Sequence, residues 1–251
     1  MMLAAVIGFG LIIGSFLNVC IHRLPRGESV VWPASKCPRC QALLKPYDNI
    51  PVVGYLMLRG RCRSCGAPIS IRYPIVELLT MGVFVAAYLL YPMPLAVQRA
   101  VFGCAMIVLF FVDLEHHRLP NEITVPGIVV GFACSFFMPP GWMSSLVGLV
   151  VGGGSLWLVG ELWFLIRHEE GMGFGDVKML AMIGAFLGTK LMIATLFVST
   201  ILGSVISVAM IAAKKGNLKT ALPFGCFLAL GAILASVVGD AAVNWYMSLL
   251  P

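Results

Sequence analysis

The sequence predicts an all-α polytopic membrane protein of about eight transmembrane helices, with a small zinc-binding cytoplasmic domain between helices 1 and 2. Three observations carry this. Of the 251 residues, 60% are hydrophobic and 11% charged, whereas soluble domains run near 25% charged; the mean hydropathy is +0.97. Apolar stretches recur at about 2–21, 74–91, 95–114, 123–138, 143–166, 177–188, 190–213 and 222–249, and a spanning helix needs roughly 20 such residues. Between the first two lies one compositional break, residues 23–73, rich in Cys, Pro, Arg and Gly and too polar to cross a bilayer.

The first stretch reads as a retained helix rather than a cleavable signal peptide. It lacks basic leading residues, and its apolar run exceeds the usual ~7–15. Its "GSFLN" (14–18) suits close helix packing through small residues, with Asn18 hydrogen bonding between helices. The domain boundaries expected are therefore 1–22 for the first helix, 23–73 for the cytoplasmic domain and 74–251 for the remaining bundle.

Charge orients the chain. Nine of the seventeen Lys and Arg fall between Arg23 and Arg72, so by the positive-inside rule this segment is cytoplasmic and the N-terminus outside. Threading eight helices from there brings Arg118, Arg167, Lys178, Lys214, Lys215 and Lys219 inside as well, leaving only Arg99 and Lys190 outside. The net charge of +6 is thus membrane topology, with some attraction to anionic lipid, and calls for no nucleic-acid partner.

Within 23–73, "CPRC" (37–40) and "CRSC" (62–65) form two Cys-x-x-Cys pairs separated by 21 residues. Each pair makes a tight turn presenting two thiolates, and two turns complete a tetrahedral four-sulfur cage. Cys37, Cys40, Cys62 and Cys65 are the expected zinc ligands. A segment with so few apolar side chains has little core, so a metal would supply its folding energy. The alternative, a pair of disulfides, sits poorly with a reducing cytoplasm. Four thiolates leave no open coordination position, so the zinc is structural. The remaining thiols, Cys20, Cys104, Cys134 and Cys226, lie on apolar stretches and read as packing residues.

The later stretches run to the C-terminus with short connections, and the 177–188 segment could join 190–213 as one bent unit, since only Lys190 interrupts them. Ionisable groups at membrane depth are expensive and mark function. There are four aspartates: Asp48, Asp113, Asp176 and Asp240. Asp113 ends the third helix in "FFVDLEHHRLPNEIT" (110–124), and Asp176 starts the sixth behind "GMGFG" (171–175), both on the cytoplasmic side. Two carboxylates at one depth converge on one water: one takes its proton while the other protonates a peptide carbonyl. Taken singly, each is also a plain helix-end residue, Asp176 being a favourable charge near a helix N-terminus. Gly171, Gly173 and Gly175 make that junction deformable. They are not a dinucleotide fingerprint, which would need glycine at 176.

Other protease chemistries lack their residues. "HEEG" (168–171) has no second histidine for H-E-x-x-H, and no G-x-S-x-G occurs. His22, His116, His117 and His168 read as interfacial, Glu77 and Glu161 as hydrogen-bonding groups within the bundle, Asp240 as solvated on the outer side, and "GGG" (152–154) as close helix packing.

The residues now in hand resemble the type IV prepilin peptidases, bacterial inner-membrane members of the GxGD aspartyl proteases. The likeness runs nearly end to end: "GSFLNVCIHRLP" (14–25), the cysteine pairs with "DNIP" (48–51) between them, "RYPIVELLT" (72–80), "DLEHHRLPNEIT" (113–124) and "GMGFGDVKML" (171–180). The resemblance implies an eight-helix enzyme that cuts the basic leader from prepilins or pseudopilins just after a glycine, on the cytoplasmic side. It implies Asp113 and Asp176 as the catalytic pair. Gly173, Gly175, Lys178, Pro120 and Asn121 would belong to the substrate-binding or active-site loops. It also implies N-methylation of the new N-terminus from S-adenosylmethionine, since the cysteine loop is similar to that of the longer, two-activity forms. One departure is Cys226 in "PFGCFLALGA" (223–232), where the family usually has proline; the swap is expected to lie away from both aspartates. The competing readings are a GxGD protease with another signal-peptide substrate, or a zinc-stabilised membrane scaffold or transporter. A transporter would want acidic groups near the bilayer midplane, often in repeated halves.

Overall fold

A computed structural model describes residues 1–169, 173–213 and 222–249. Gly171, Lys214, Lys215 and Lys219, used above, lie outside the described residues. The regular structure of the described residues is helical, with two isolated β-bridges, Lys36 with Leu43 and Arg61 with Pro68, in an insert made mostly of turns and loop. The helices are α1 (Met2–Arg23), α2 (Val53–Met57), α3 (Arg72–Leu90), α4 (Leu95–His116), α5 (Asn121–Cys134), α6 (Trp142–Arg167), α7 (Phe174–Ala212) and α8 (Phe224–Ser248). They fall into two compact units, Met1–Val108 and Leu109–Pro251, described separately.

In the first unit α1 packs on α3 through small residues. A Cβ on Gly10 would lie 2.9 Å from Met81 Cα and one on Gly14 2.6 Å from Glu77 Cα, so the two backbones touch as membrane helices do. Asn18 Nδ2 donates to the Tyr73 carbonyl on α3 at 3.0 Å, the interhelical hydrogen bond its position suggested. Buried Arg23 ends α1 and donates to the carbonyls of Ser29 (2.9 Å) and Pro33 (2.6 Å), fixing the exit of the chain into the cysteine-rich insert.

In the second unit the first arm of α7 is the core: Met179 to Gly188 are buried without interruption. α6 lies against it along glycines, a Cβ on Gly148 meeting the Gly184 carbonyl at 2.8 Å and one on Gly152 the Leu180 carbonyl at 2.9 Å. Ser145 Oγ donates to the Ala185 carbonyl at 2.7 Å. α5 approaches through Gly127, facing Met182, and Gly131, facing Phe186.

Six of the described helices are long and apolar enough to cross a membrane, α1, α3, α4, α6, α7 and α8, whereas α5 has only 14 residues. The eight apolar stretches of the sequence map onto these six helices and α5, with 177–188 and 190–213 following one another in α7 without a loop between them, and α5 is shorter than a standard span. That element is not straight. Gly188 has φ +77° and ψ 176°, a left-handed value open to glycine and costly to other residues. Beyond it the contacts run backwards along α8: Leu191 lies by Gly239, Thr195 and Ser199 by Gly231, and Gly203 by Phe227. The Leu180 carbonyl and the Met192 side chain both flank Gly152. α7 is thus two antiparallel arms reversing at Gly188, with the second arm antiparallel to α8. Ser144 on α6 braces the reversal, accepting at its carbonyl from Thr189 Oγ1 at 3.0 Å and at its hydroxyl from Thr189 N–H at 3.3 Å.

Candidate active site and metal centre

The four predicted cysteine ligands converge. Each pair makes the same turn: Cys37 N–H donates to the Ala42 carbonyl (2.9 Å) and Gln41 N–H to the Cys37 carbonyl (2.9 Å), as Cys62 does to Ala67 (2.8 Å) and Gly66 to Cys62 (2.9 Å). The fourth residue after the first cysteine is left-handed in both, Gln41 at φ 59° and Gly66 at φ +69°. The sulfurs of Cys37 and Cys65, and of Cys40 and Cys62, are 3.9 Å apart, and all four lie within 4.8 Å of one another. A tetrahedron with metal–sulfur bonds of about 2.3 Å has edges of about 3.8 Å. The cage fits a metal such as zinc, and the four thiols are not joined as disulfides. Backbone N–H groups of Cys40 and Arg39 pull the Cys37 thiol down to about 6, which favours the thiolate a metal needs. From within the second turn, Arg63 grips Asp48, which lies between the turns, with Nε at 3.1 Å from both carboxylate oxygens and Nη2 at 2.6 Å from Oδ1. That guanidinium holds the Asp48 carboxyl below its ordinary value.

Buried Glu77 on α3 hydrogen-bonds Ser15 on α1, as its position suggested, and also accepts the Val52 N–H of the insert at 2.7 Å. Val52 has φ 61°, and Val53 N–H donates back to the Pro51 carbonyl at 2.6 Å: a tight γ-turn, strained for a β-branched residue. Glu161, whose position suggested a bond within the bundle, is on the exposed face of α6 instead, where residues 157–159 and 161–167 all face outward. Asp240 is exposed and 3.5 Å from Lys190.

Asp113 occupies the last turn of α4 and is 5% exposed. The helix stops where His117 turns left-handed (φ 50°) and its N–H donates to the Asp113 carbonyl at 2.9 Å, a common helix ending. Asp176 lies in the first turn of α7, which begins after Gly173; its N–H donates to the Gly173 carbonyl at 3.1 Å. The two carboxylates are within electrostatic reach of each other. A third helix end completes the site. α8 starts after Pro223, and Cys226 N–H donates to Asp113 Oδ2 at 3.0 Å. A helix N-terminus has free N–H groups and suits an anion. Cys226 therefore does not lie away from the aspartates: its backbone holds one, and its thiol, which donates to the Phe110 carbonyl at 3.3 Å, is within reach of both. Gly225 permits this, since a Cβ there would sit 2.8 Å from Asp113 Oδ2.

The other predicted site residues gather at the same end. Pro120 precedes the first turn of α5 and Asn121 opens it. Lys178 Nζ donates to Asn121 Oδ1 and lies 5.1 Å from the Phe174 ring centre. Leu119 touches both Gly175 and Gly225. Nothing in the sequence marked Leu119 or Gly225 as part of the site, and Cys226 stood out only as a departure from the family; the one local signal was a Pro-x-Gly opening to the last helix. A close carboxylate pair at the mouths of three helices is equipped to activate a water and protonate its target.

Fold and site define a multi-pass membrane protein with a carboxylate pair at one end of its second unit and a four-cysteine metal site in its first. Residues 8–91 match the Bacterial Peptidase A24 N-terminal domain, and residues 100–208 the Type IV leader peptidase family. The chain is 34% identical over 276 aligned residues to a prepilin leader peptidase/N-methyltransferase of Pseudomonas putida, covering 96% of this chain and 92% of the relative. It is 37% identical to a protein of that name from Dichelobacter nodosus (92% and 90% covered). A third, from Myxococcus xanthus, is 40% identical, with 81% and 62% covered. No solved structure matches significantly. The chain belongs to the type IV leader peptidase family and is an enzyme of it, which removes the scaffold and transporter readings.

Proposed function

We propose that this enzyme is a membrane aspartic endopeptidase that removes the leader from type IV prepilins and/or pseudopilins, cutting after a glycine at the cytoplasmic face of a bacterial inner membrane. The observation that carries the reading is the meeting of Asp113 and Asp176 at one end of the second unit. One carboxylate takes a proton from water, whose oxygen attacks the scissile carbonyl carbon. The other gives its proton to the carbonyl oxygen. Collapse of the tetrahedral intermediate breaks the C–N bond, and the departing amine takes a proton. Pinning of Asp113 by the Cys226 N–H fixes one member of the pair. Gly173, Gly175, Lys178, Pro120 and Asn121 form the rim around it and orient substrate.

The topology that fits this chemistry has the N-terminus outside and eight crossings, α5 and both arms of α7 each counting as one. Asp113, Asp176 and the start of α8 then share the cytoplasmic side with the basic insert. Residues 1–22 are the first span, 23–73 the zinc-binding domain and 74–251 the peptidase bundle. Cys37, Cys40, Cys62 and Cys65 hold zinc, which supplies folding energy to the insert and takes no part in hydrolysis. The relatives' names carry a second activity. On that likeness the enzyme also transfers a methyl group from S-adenosylmethionine to the new N-terminal amine.

The test is mass analysis of a prepilin incubated with purified enzyme in detergent. The expected product begins at the residue after the leader glycine, and gains one methyl mass only when S-adenosylmethionine is added. An intact prepilin, or a cut elsewhere, contradicts the proposal.

A further inference from the structure

We infer that Leu119 is a positioning residue for cleavage: its side chain is a wedge between the first turns of α7 and α8 that sets the separation of the Asp113 and Asp176 carboxylates. The inference rests on the two-aspartate reaction proposed above. Leu119 lies in the turn leaving α4, six residues after Asp113. A Cβ on Gly175 would lie 3.0 Å from Leu119 Cβ, 3.3 Å from Cδ1 and 3.4 Å from Cγ, so the leucine rests on bare backbone one residue before Asp176. A Cβ on Gly225 would lie 3.1 Å from Leu119 Cδ1, so the same side chain also rests on the turn whose next N–H binds Asp113.

The first turn of α8 gives its Cys226 N–H to the Asp113 carboxylate; what Leu119 supplies is apolar packing, against α7 and α8 at once, from the chain just after Asp113. Close-packed contacts transmit a change of size as a shift of the groups they hold, so shortening the leucine lets the two helix mouths approach or splay. The glycines on either side belong to the same device, because a side chain at 175 or 225 would displace the wedge.

The experiment is steady-state cleavage of a prepilin by Leu119→Ala, Leu119→Val and Leu119→Met, with zinc content and thermal melting measured in parallel. Displacing reacting groups by about 1 Å costs on the order of 100-fold. The expected result is kcat reduced about 10-fold or more in Leu119→Ala, less in Leu119→Val and within about twofold in Leu119→Met, at unchanged KM, melting temperature and zinc content. A purely structural role would lower the melting temperature without this graded loss of kcat. Wild-type kcat in Leu119→Ala overturns the inference. So does a rise in KM alone, which would make Leu119 a substrate contact, or an equal loss in the Met and Ala variants. If Leu119→Ala does not fold, the Val and Met variants read the same trend. A wild-type enzyme that leaves prepilin intact removes the two-aspartate reading itself, and the wedge with it.

Discussion

The Asp113 carboxylate is held by a helix mouth, through a backbone N–H 113 residues further along the chain, rather than by a charged side chain. The metal cage differs in kind, because its geometry is local. Two turns with the same hydrogen-bond pattern each present two sulfurs, so the site forms wherever the turns meet. Replacing Cys37, Cys40, Cys62 or Cys65 by serine is expected to lower zinc from about one ion per chain and destabilise the insert. Elemental analysis with proteolysis of the insert checks this, and full zinc occupancy in the quadruple serine variant contradicts it. This locality made the four cysteines legible as ligands in the sequence. Asp113 and Asp176 were legible because topology alone brought them to one depth. Cys226 was misread because its role lies in its backbone, and no residue type announces a tertiary N–H contact. Glu161 was misread because an acid on an apolar helix need not face inward.

At the scale of elements, the reversal in α7 decides where the helices that meet at the two aspartates begin. The first arm leads away from Asp176 and the second returns along α8, so α8 starts beside Asp113. The sequence left open whether 177–188 and 190–213 were separate, since a single glycine can turn a chain without any polar loop to mark the turn. Gly188 has φ +77°, and a Cβ there would lie 2.5 Å from Ser144 Oγ and 2.7 Å from Pro140 Cβ. Gly188→Ala meets both a disfavoured backbone and a clash, and should cost about 1–3 kcal/mol. Thermal melting in detergent measures it; a variant as stable as wild type would show that the reversal does not depend on this glycine. The apolar stretch 123–138 forms a shorter helix than its length suggests, since α5 ends at Cys134 with Ser135 as its cap and the Ser135 hydroxyl on the Phe132 carbonyl at 2.6 Å.

On the scale of the whole molecule, the two proposed activities, hydrolysis and methyl transfer, place different demands on the chain. Hydrolysis needs a water-activating carboxylate pair. Methyl transfer needs a positioned amine and donor but no such pair. An enzyme carrying both Asp113→Asn and Asp176→Asn should therefore still methylate a pre-cleaved pilin from S-adenosylmethionine, read as a methyl mass shift at the pilin N-terminus. Disruption of the cysteine cage should impair methylation at least as much as cleavage. Loss of the mass shift in a folded double-Asn enzyme would show that one site serves both reactions.

The measurement that bears most directly on the account is prepilin cleavage by Asp113→Asn and Asp176→Asn, singly and together, in protein shown by melting to be folded. Groups that act as a unit lose nearly everything when either is removed. Each single variant should fall to the same floor as the double, on the order of 1,000-fold or more below wild type. A single variant that processes prepilin at close to the wild-type rate would contradict the central claim, since the carboxylate it lacks could not then be one of the pair that cuts.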